Sequence, residues 1–426
     1  MSNLEYDVIV AGGGPSGIAA AVASARNGAK TLLIERYGFL GGAGTAMMVN
    51  PWMTYSAGPK QIIYGVLQEL IDGMSDLGMY GHPKQKTAFD PEALKYVAEH
   101  LCLDAGVELL YHTFLGGVKS DENNRYIKSV QVANKAGIME FKAKVFVDTT
   151  GDADLAGLAG AEVEKGRAVD SLSQPMTLNF RMANVDIDRI PSREEMTELY
   201  IEAKKRGELK CPRENILWFY ANQEGVIHFN QTRVIKKDAT NPWDLTAAEI
   251  EAREQVQELV VFLKKYVRGF EDSYLQTTAP QIGVRESRRV MGEYKLTADE
   301  LLAACKFDDV VALGSYPVDI HNPAGEGTII QNLKPGEWYD IPYRSLIPKD
   351  LDNLIVGGRP ISATHEAHSA LRVQPIAMAI GQAAGTAAAV CATQGLLPRE
   401  VDVKLIQKSL LEQGAYLGPQ FETEKV

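Results

Sequence analysis

The opening 36 residues constrain this chain more than any other stretch. Tyr6-Asp-Val-Ile-Val-Ala-Gly-Gly-Gly-Pro-Ser-Gly17 leads into an alanine-rich run and then into Thr31-Leu-Leu-Ile-Glu35. The order is strand, glycine turn, helix, strand, acid, which is the βαβ unit that binds dinucleotides. Gly12 permits the tight turn that leaves the first strand, Gly14 lets main chain approach a pyrophosphate, and Gly17 lets the helix pack against the strand. The helix predicted to start at Pro15 and Ser16 aims free N–H groups and its positive end at those phosphates. Glu35 lies 18 residues beyond Gly17, near the roughly 20-residue spacing of the acid that holds a ribose hydroxyl. A G-x-G-x-x-G alone is a weak signal; the strand, helix and acid around it make this one specific.

At 426 residues the chain has room for a large core and two domains. A net charge of −11, with no basic stripe to offset it, argues against a nucleic-acid or acidic-membrane partner. Cys102, Cys211, Cys305 and Cys391 are scattered and form no CxxC pair, zinc knuckle or iron–sulfur ladder, as expected in a reducing cytoplasm. The first residues pass directly into a strand, so no export leader is expected. Val373 to Pro398 carries no charge and is long enough to span a bilayer. Its Ala, Gly, Gln and Thr content, with Ala377, Gly381, Gly385 and Ala389 spaced four apart, predicts a buried helix instead. Its small-residue face suits close approach to a sheet or a cofactor.

Further along, Asp90-Pro91-Glu92 predicts a cap and a helix reaching about Asp104. VELLYHTFLGGV, YIKSVQVAN and GIMEFKAKVFVDTT predict a three-stranded meander with a turn at Asn134–Gly137. Near residue 171 the texture changes. SLSQPMTLNFRMANV and GVIHFNQTRVI read as strands, and capping boxes at Ser192/Glu195, Thr246/Glu249 and Thr297/Glu300 each predict a helix start. From about Asp340 the chain returns to a strand, NLIVGG, and then to the small-residue helix. The expected architecture is α/β. A Rossmann-like domain, with a parallel sheet and a three-stranded β-meander, is built from residues 1–170 and 340–426. An α+β substrate domain with an antiparallel sheet is inserted at 171–339. No second G-x-G-x-x-G follows a strand, so a separate nicotinamide domain is not expected.

Taken together, AGGGPSG with Glu35, ERYGFLGGAGT, VDTTGDADLA, GVRESRR, YPVDIHNP and NLIVGGRPISATHEAHSALRVQPIAMAIGQAAGTAAA carry a resemblance over nearly the whole chain. It resembles the FAD-dependent oxidoreductases of the glutathione-reductase-like fold. More closely, it is similar to a bacterial family of such enzymes related to the flavin subunits of fumarate reductase and heterodisulfide reductase. The resemblance implies FAD as the nucleotide. It implies that Arg36, Gly41, Gly42 and Thr45 reach back across the pyrophosphate towards the isoalloxazine, and that Leu115 makes main-chain contact with adenine. Gly151 and Asp152 are then placed beside the pyrophosphate, and Gly358 and Arg359 beside the ribitol. Many relatives carry Gly-Asp at that last strand end; Gly-Gly-Arg here offers a cation instead of a carboxylate.

Reducing a flavin places negative charge on its N1–C2=O edge, which a helix N-terminus stabilises with fixed N–H dipoles. The helix opening at Gln374-Pro375, with main-chain donors at Ile376 and Ala377, is the candidate, and Arg372 adds a full charge. Taking hydride from a C–H beside a hydroxyl or amine also requires a proton acceptor, for which histidine is suited. His365 and His368, three residues apart in ISATHEAHSALR, and His321 beside Asp319 are the candidates, each weighed against a structural role. No third ligand accompanies the histidine pair, so no metal is expected. Arg285 suits a substrate carboxylate or hydroxyl, or an ion-paired hinge with Glu286, Arg288 and Arg289. Met47, Met48, Trp52, Met53 and Tyr55 are assigned to core or to the pocket wall. The expected function is hydride transfer between the flavin and a small polar, hydroxylated substrate held between the domains, with oxygen or an external acceptor taking the electrons. The alternatives are reduction of an activated C=C bond, with Arg285, Arg344 or Arg372 serving, and an electron-transfer flavoprotein subunit of a larger complex. A homo-oligomer is compatible with the sequence.

Overall fold

Val8–Ala11 and Thr31–Ile34 are buried on both faces, the pattern of central strands in a covered parallel sheet. The computed structural model describes residues 5–422. In it β1 (Glu5–Ala11), α1 (Pro15–Arg26) and β2 (Thr31–Ile34) form the opening βαβ unit, with β1 and β2 parallel. α2 (Pro91–Asp104) starts where expected, because the Asp90 carboxylate accepts the Glu92 and Ala93 N–H groups. The predicted run VELLYHTFLGGV is two strands, β3 (Glu108–Leu110) and β4 (Phe114–Ser120), broken at His112, whose φ of 51° is left-handed. β5 (Ile127–Asn134) and β6 (Gly137–Asp148) complete the meander.

The twelve-residue β6 belongs to two layers. Its first half pairs antiparallel with β5, and its second half pairs parallel with β1. A second, antiparallel sheet has the order β8-β9-β7-β10, from β7 (Phe180–Ala183), β8 (Trp218–Tyr220), β9 (Ile227–Phe229) and β10 (Tyr274–Thr278). It shares one apolar core with α3 (Arg193–Lys205) and α4 (Pro242–Tyr266). Ser192 caps α3 and Thr297 closes a full capping box on its own short helix, as predicted. Thr246 does not cap. α4 begins a turn earlier, where Asn241 accepts from Trp243 and Asp244 and Pro242 occupies the first helical turn, a stronger start than an isolated Thr/Glu pair.

Beyond the second sheet come the hairpin β11 (Val318–His321) and β12 (Thr328–Gln331) and then β13 (Leu354–Val356), which joins β6 in parallel. The parallel part of the large sheet is therefore β3-β2-β1-β6-β13. The second core runs from Met176 to Val284 and takes in Met48, while buried residues from Val290 to Tyr339 pack with the first core.

α5 (His365–Leu371) and α6 (Gln374–Gln394) close the fold. At Gly381 and Gly385 the small-residue face of α6 meets another helix, α1. A Cβ on Gly381 would lie 2.1 Å from the Ser16 carbonyl oxygen, and one on Gly385 would lie 1.9 Å from that of Ala20. Lacking both side chains, α6 and α1 touch backbone to backbone. The most apolar part of α6 is 83% buried inside the chain, which is where its uncharged sequence is accommodated.

Candidate functional site

A single cavity of about 540 Å³ starts at the carboxyl ends of β1, β2 and β6 and continues to the second sheet. The carboxyl edge of a parallel sheet is where α/β folds bind their ligands. Gly12, Gly14, Pro15, Ser16, Glu35, Arg36 and Gly42 line its first end. The Glu35 carboxylate is buried and accepts the Gly13 N–H at 2.6 Å and the Tyr37 N–H at 2.9 Å. Burial raises its pKa against those donors.

The glycine cradle has the shape expected for a diphosphate. A Cβ on Gly14 would meet nothing nearer than the Gly42 Cα at 3.9 Å, so the space above it belongs to the cavity. Ser16 Oγ, buried on the same wall, has no hydrogen-bond partner among the described residues. These residues fit a dinucleotide. Gly17 serves differently: a Cβ there would stand 1.8 Å from the Gly12 carbonyl oxygen, so it sets the helix packing and does not line the cavity. Gly41 and Thr45 also stand back from the wall. Gly41 has φ of 107°, and Thr45 Oγ1 donates to the Leu40 carbonyl at 2.8 Å, so the two shape the turn that presents Gly42.

Leu115, Gly151 and Arg359 line the cavity. Asp152 and Gly358 do not. Asp152 is turned to Arg359 and Ser287, and Gly358 lies against Ser16; the neighbour Gly357 takes the wall position. At the start of α6 the wall is made by Arg372, Val373, Gln374 and Ala377. Pro375 and Ile376 point into the core, and the Ala377 N–H, expected to be free, is spent on the Val373 carbonyl at 2.9 Å.

The other end of the cavity gathers Arg285, Asp319, His321, Tyr316 and Arg213. Tyr316 OH donates to Asp319 Oδ2 at 3.0 Å, and Arg372 Nη2 and His321 Nε2 each lie 3.5 Å from that oxygen. Burial alone would raise the Asp319 pKa. The His321 hydrogen bond, the Arg372 charge and the Tyr316 hydroxyl outweigh it and hold the carboxyl well below its usual range. Burial and the nearby Arg285 push His321 down to about 3, so the ring is neutral at pH 7. Its tautomer follows from its neighbours. Arg233 Nη2 stands 3.2 Å from Nδ1 and can only donate, which leaves the proton on Nε2, facing Asp319.

His365 and His368, expected near the flavin, do not reach the cavity. His365 Nδ1 bonds Glu286 at 2.8 Å, and Glu286 also pairs with Arg289, all in the buried layer behind the wall. His368 is fully buried with neither ring nitrogen bonded. The helical spacing that brought the two together turned them towards the core. Arg344 pairs with Asp309 at 2.9 Å away from the cavity. Met47 and Met53 line the wall, whereas Met48 lies in the second core and Trp52 is buried against Phe89.

Sequence reasoning missed Arg213, Arg233 and Tyr316. Tyr316 sits within YPVDIHNP, so its proximity to Asp319 was within reach. Arg213 and Arg233 carry no local pattern and are brought in by the second sheet. Among the described residues no group of three His, Cys, Asp or Glu is placed to hold a metal.

The sequence model of a family described as FAD dependent oxidoreductase matches residues 7–410. The thiamine thiazole synthase of Methanococcus aeolicus is 30% identical over 164 residues, covering 37% of this chain and 59% of that enzyme. The thiamine thiazole synthase of Methanococcus vannielii is 29% identical over 159 residues, covering 35% of this chain and 58% of that enzyme. The match thus spans less than two thirds of these curated relatives. Among solved structures, a geranylgeranyl bacteriochlorophyll reductase-like protein from Thermoplasma acidophilum aligns over 97% of this chain and 84% of its own, with TM-score 0.46 and 15% identity. The p-nitrophenol 4-monooxygenase of Pseudomonas putida aligns over 96% and 85%, with TM-score 0.47 and 10% identity.

Proposed function

This chain belongs to the FAD dependent oxidoreductase family, and on that premise we propose that it transfers hydride between bound FAD and a small polar substrate seated against the second sheet. The continuity of one cavity, from the Gly14 and Ser16 cradle to the Arg285, Asp319 and His321 group, supports this reading most. Gly12, Gly14, Ser16 and Glu35 would hold the adenine nucleotide half. Arg36, Gly42, Leu115, Gly151 and Arg359 would line the rest of the cofactor's path, and the start of α6 with Arg372 would face the flavin edge.

The remaining chemistry falls to side chains at the far end. A hydroxyl or amine that gives up hydride also gives up a proton. Asp319, ionised and tied to Tyr316 and His321, would accept a hydrogen bond from that hydroxyl or amine. It would relay the proton onward to water rather than keep it, because its carboxyl is held well below the usual range. Arg233 fixes the His321 ring so that its Nε2–H stabilises the Asp319 charge and orients it. Thr177 and Asn230 hold Arg285, which orients the substrate. In this proposal the segment with the second core, Met176 to Val284, forms the substrate unit, and the rest forms the FAD-binding unit. The expected boundary at 339 moves back, because Val290 to Tyr339 packs with the first core. Oxygen or an external acceptor completes the cycle.

A second reading, reduction of an activated C=C bond, is favoured by one observation. Burial and the charges of Arg372, Arg213 and Arg233 bring the Arg285 pKa well below its ordinary value, which suits a proton donor better than an exposed arginine. Anaerobic photometry on the purified yellow protein decides between the two. Bleaching of the oxidised flavin band by a small alcohol, amine or hydroxy acid supports dehydrogenation. Reoxidation of pre-reduced enzyme only by an activated alkene supports the second reading. A protein that neither retains nor takes up FAD refutes both.

A further inference from the structure

Several shielded arginines in this chain have an acid beside them. Arg233 has Glu214 at 3.2 Å, Arg359 has Asp152 at 2.6 Å, and Arg372 has Asp319 at 3.5 Å. Arg213 and Arg285, both on the cavity wall, have none. Arg213 is 3% exposed; its Nε donates to Asn215 Oδ1 at 3.2 Å, and its Nη1 has no partner among the described residues. Arg285 donates to the Pro175 carbonyl at 2.7 Å, to Thr177 Oγ1 and to Asn230 Oδ1 at 3.1 Å, all neutral acceptors. Those contacts fix the two guanidinium groups without neutralising either.

We infer that Arg213 and Arg285 form an anion subsite and that the substrate is an organic acid whose carboxylate they hold. The inference rests on the functional reading above and narrows its substrate class. Two unpaired cations on one buried wall are costly to fold, and a buried charge persists where something pairs with it. Each feels the strain: burial and neighbouring arginines lower both guanidinium pKa values. A carboxylate supplies the missing charge and matches the forked donors of arginine. Glu214 and Asp319 on the same wall weigh against a doubly charged phosphate. The cofactor's diphosphate has its own cradle at Gly14 and Ser16.

The test uses purified holoenzyme whose FAD content is measured first, so that failure of the flavin reading is seen before any anion is added. Glycolate, succinate and benzoate, the corresponding amides and inorganic phosphate are titrated by calorimetry and by flavin difference spectra. At least one carboxylate should bind saturably, with its amide roughly tenfold or more weaker, the worth of one charge-assisted hydrogen bond. Arg213→Gln and Arg285→Gln should each weaken that carboxylate by a similar factor while FAD stays bound. Arg285→Lys, which keeps the charge, should fall between. The wild-type comparison of acid with amide stands even if a variant fails to fold. Acids binding no better than amides would overturn the inference. So would binding of phosphate alone, or arginine variants that shed FAD yet bind carboxylate unchanged.

Discussion

Arg359 donates through Nη2 to Asp152 Oδ1 at 2.6 Å, and the same carboxylate oxygen accepts the Ser287 hydroxyl at 2.6 Å. The pair spans the end of β13 and the loop after β6, and both side chains are largely shielded from water, with 12% and 15% exposure. Arg359 therefore faces the cavity as half of a neutral pair, not as a free cation. Removing one partner of a shielded pair strands the other's charge. Asp152→Ala should destabilise the protein by about 3 kcal/mol, and Asp152→Ala with Arg359→Met by clearly less. Chemical denaturation of the two single variants and the double variant measures the coupling; additive losses would show the pair to be idle.

Two glycines of one motif should fail in different ways. Gly14→Val places its side chain in cavity space, because the protein leaves Gly14 free to 3.9 Å. It should fold with its thermal stability near that of the unloaded wild type and emerge colourless. Gly17→Ala drives a Cβ into the Gly12 carbonyl, and Gly385→Ala does the same against Ala20. Each should cost about 1–3 kcal/mol through overpacking, whether FAD is present or not. Full FAD occupancy in Gly14→Val would move the phosphates elsewhere.

His368 is fully buried, bonds nothing, and its pKa is held well below the ordinary value by burial and by Arg289, Arg359 and Arg372. The folded protein therefore keeps this ring neutral where the unfolded chain protonates it. Stability from the neutral ring is complete above the unfolded pKa near 6.5 and is lost as pH falls below it. His368→Leu loses no hydrogen bond and removes that liability. Relative to wild type it should gain about 1.4 kcal/mol per pH unit below about pH 6, with FAD saturating in both. Urea unfolding at neutral and mildly acidic pH reads the slope directly. Flavin reduction should be unaffected, since the ring lies behind the cavity wall.

Asp319 is ionised far below neutrality, so its protonation contributes no acid limb to the rate between pH 5 and 9. Asp319→Asn keeps the shape, removes the charge that Tyr316 and Arg372 face, and should slow flavin reduction roughly 10²- to 10⁴-fold, the range of a lost acid–base group. FAD content should not change. Stopped-flow reduction with the substrate found in the panel measures it; an unaltered rate would remove Asp319 from the proton path.

The nucleotide end of the site was legible because its chemistry is local. Gly12, Gly14, Ser16 and Glu35 lie within 24 consecutive residues, and a strand–turn–helix leaves the chain little choice about where they point. The meander was legible for the same reason, as were the caps at Asp90, Ser192 and Thr297. His365 and His368 stand off the cavity, because spacing says which residues share a helix face and nothing about what that face packs on. Here it packs on Glu286 and the core.

Local pattern alone determined that this chain opens with a dinucleotide-binding βαβ unit and that its long uncharged segment is a close-packing helix. Such features depend on backbone conformation and on side chains a turn or a strand apart. Tertiary structure alone decided which charges meet in the cavity. Arg213, Arg285 and the strand that carries Asp319 and His321 come from separate segments, and their meeting depends on how the fold brings those segments together. Whether a buried arginine finds a carboxylate is a matter of a few ångströms across the fold, a distance that no spacing along the chain encodes.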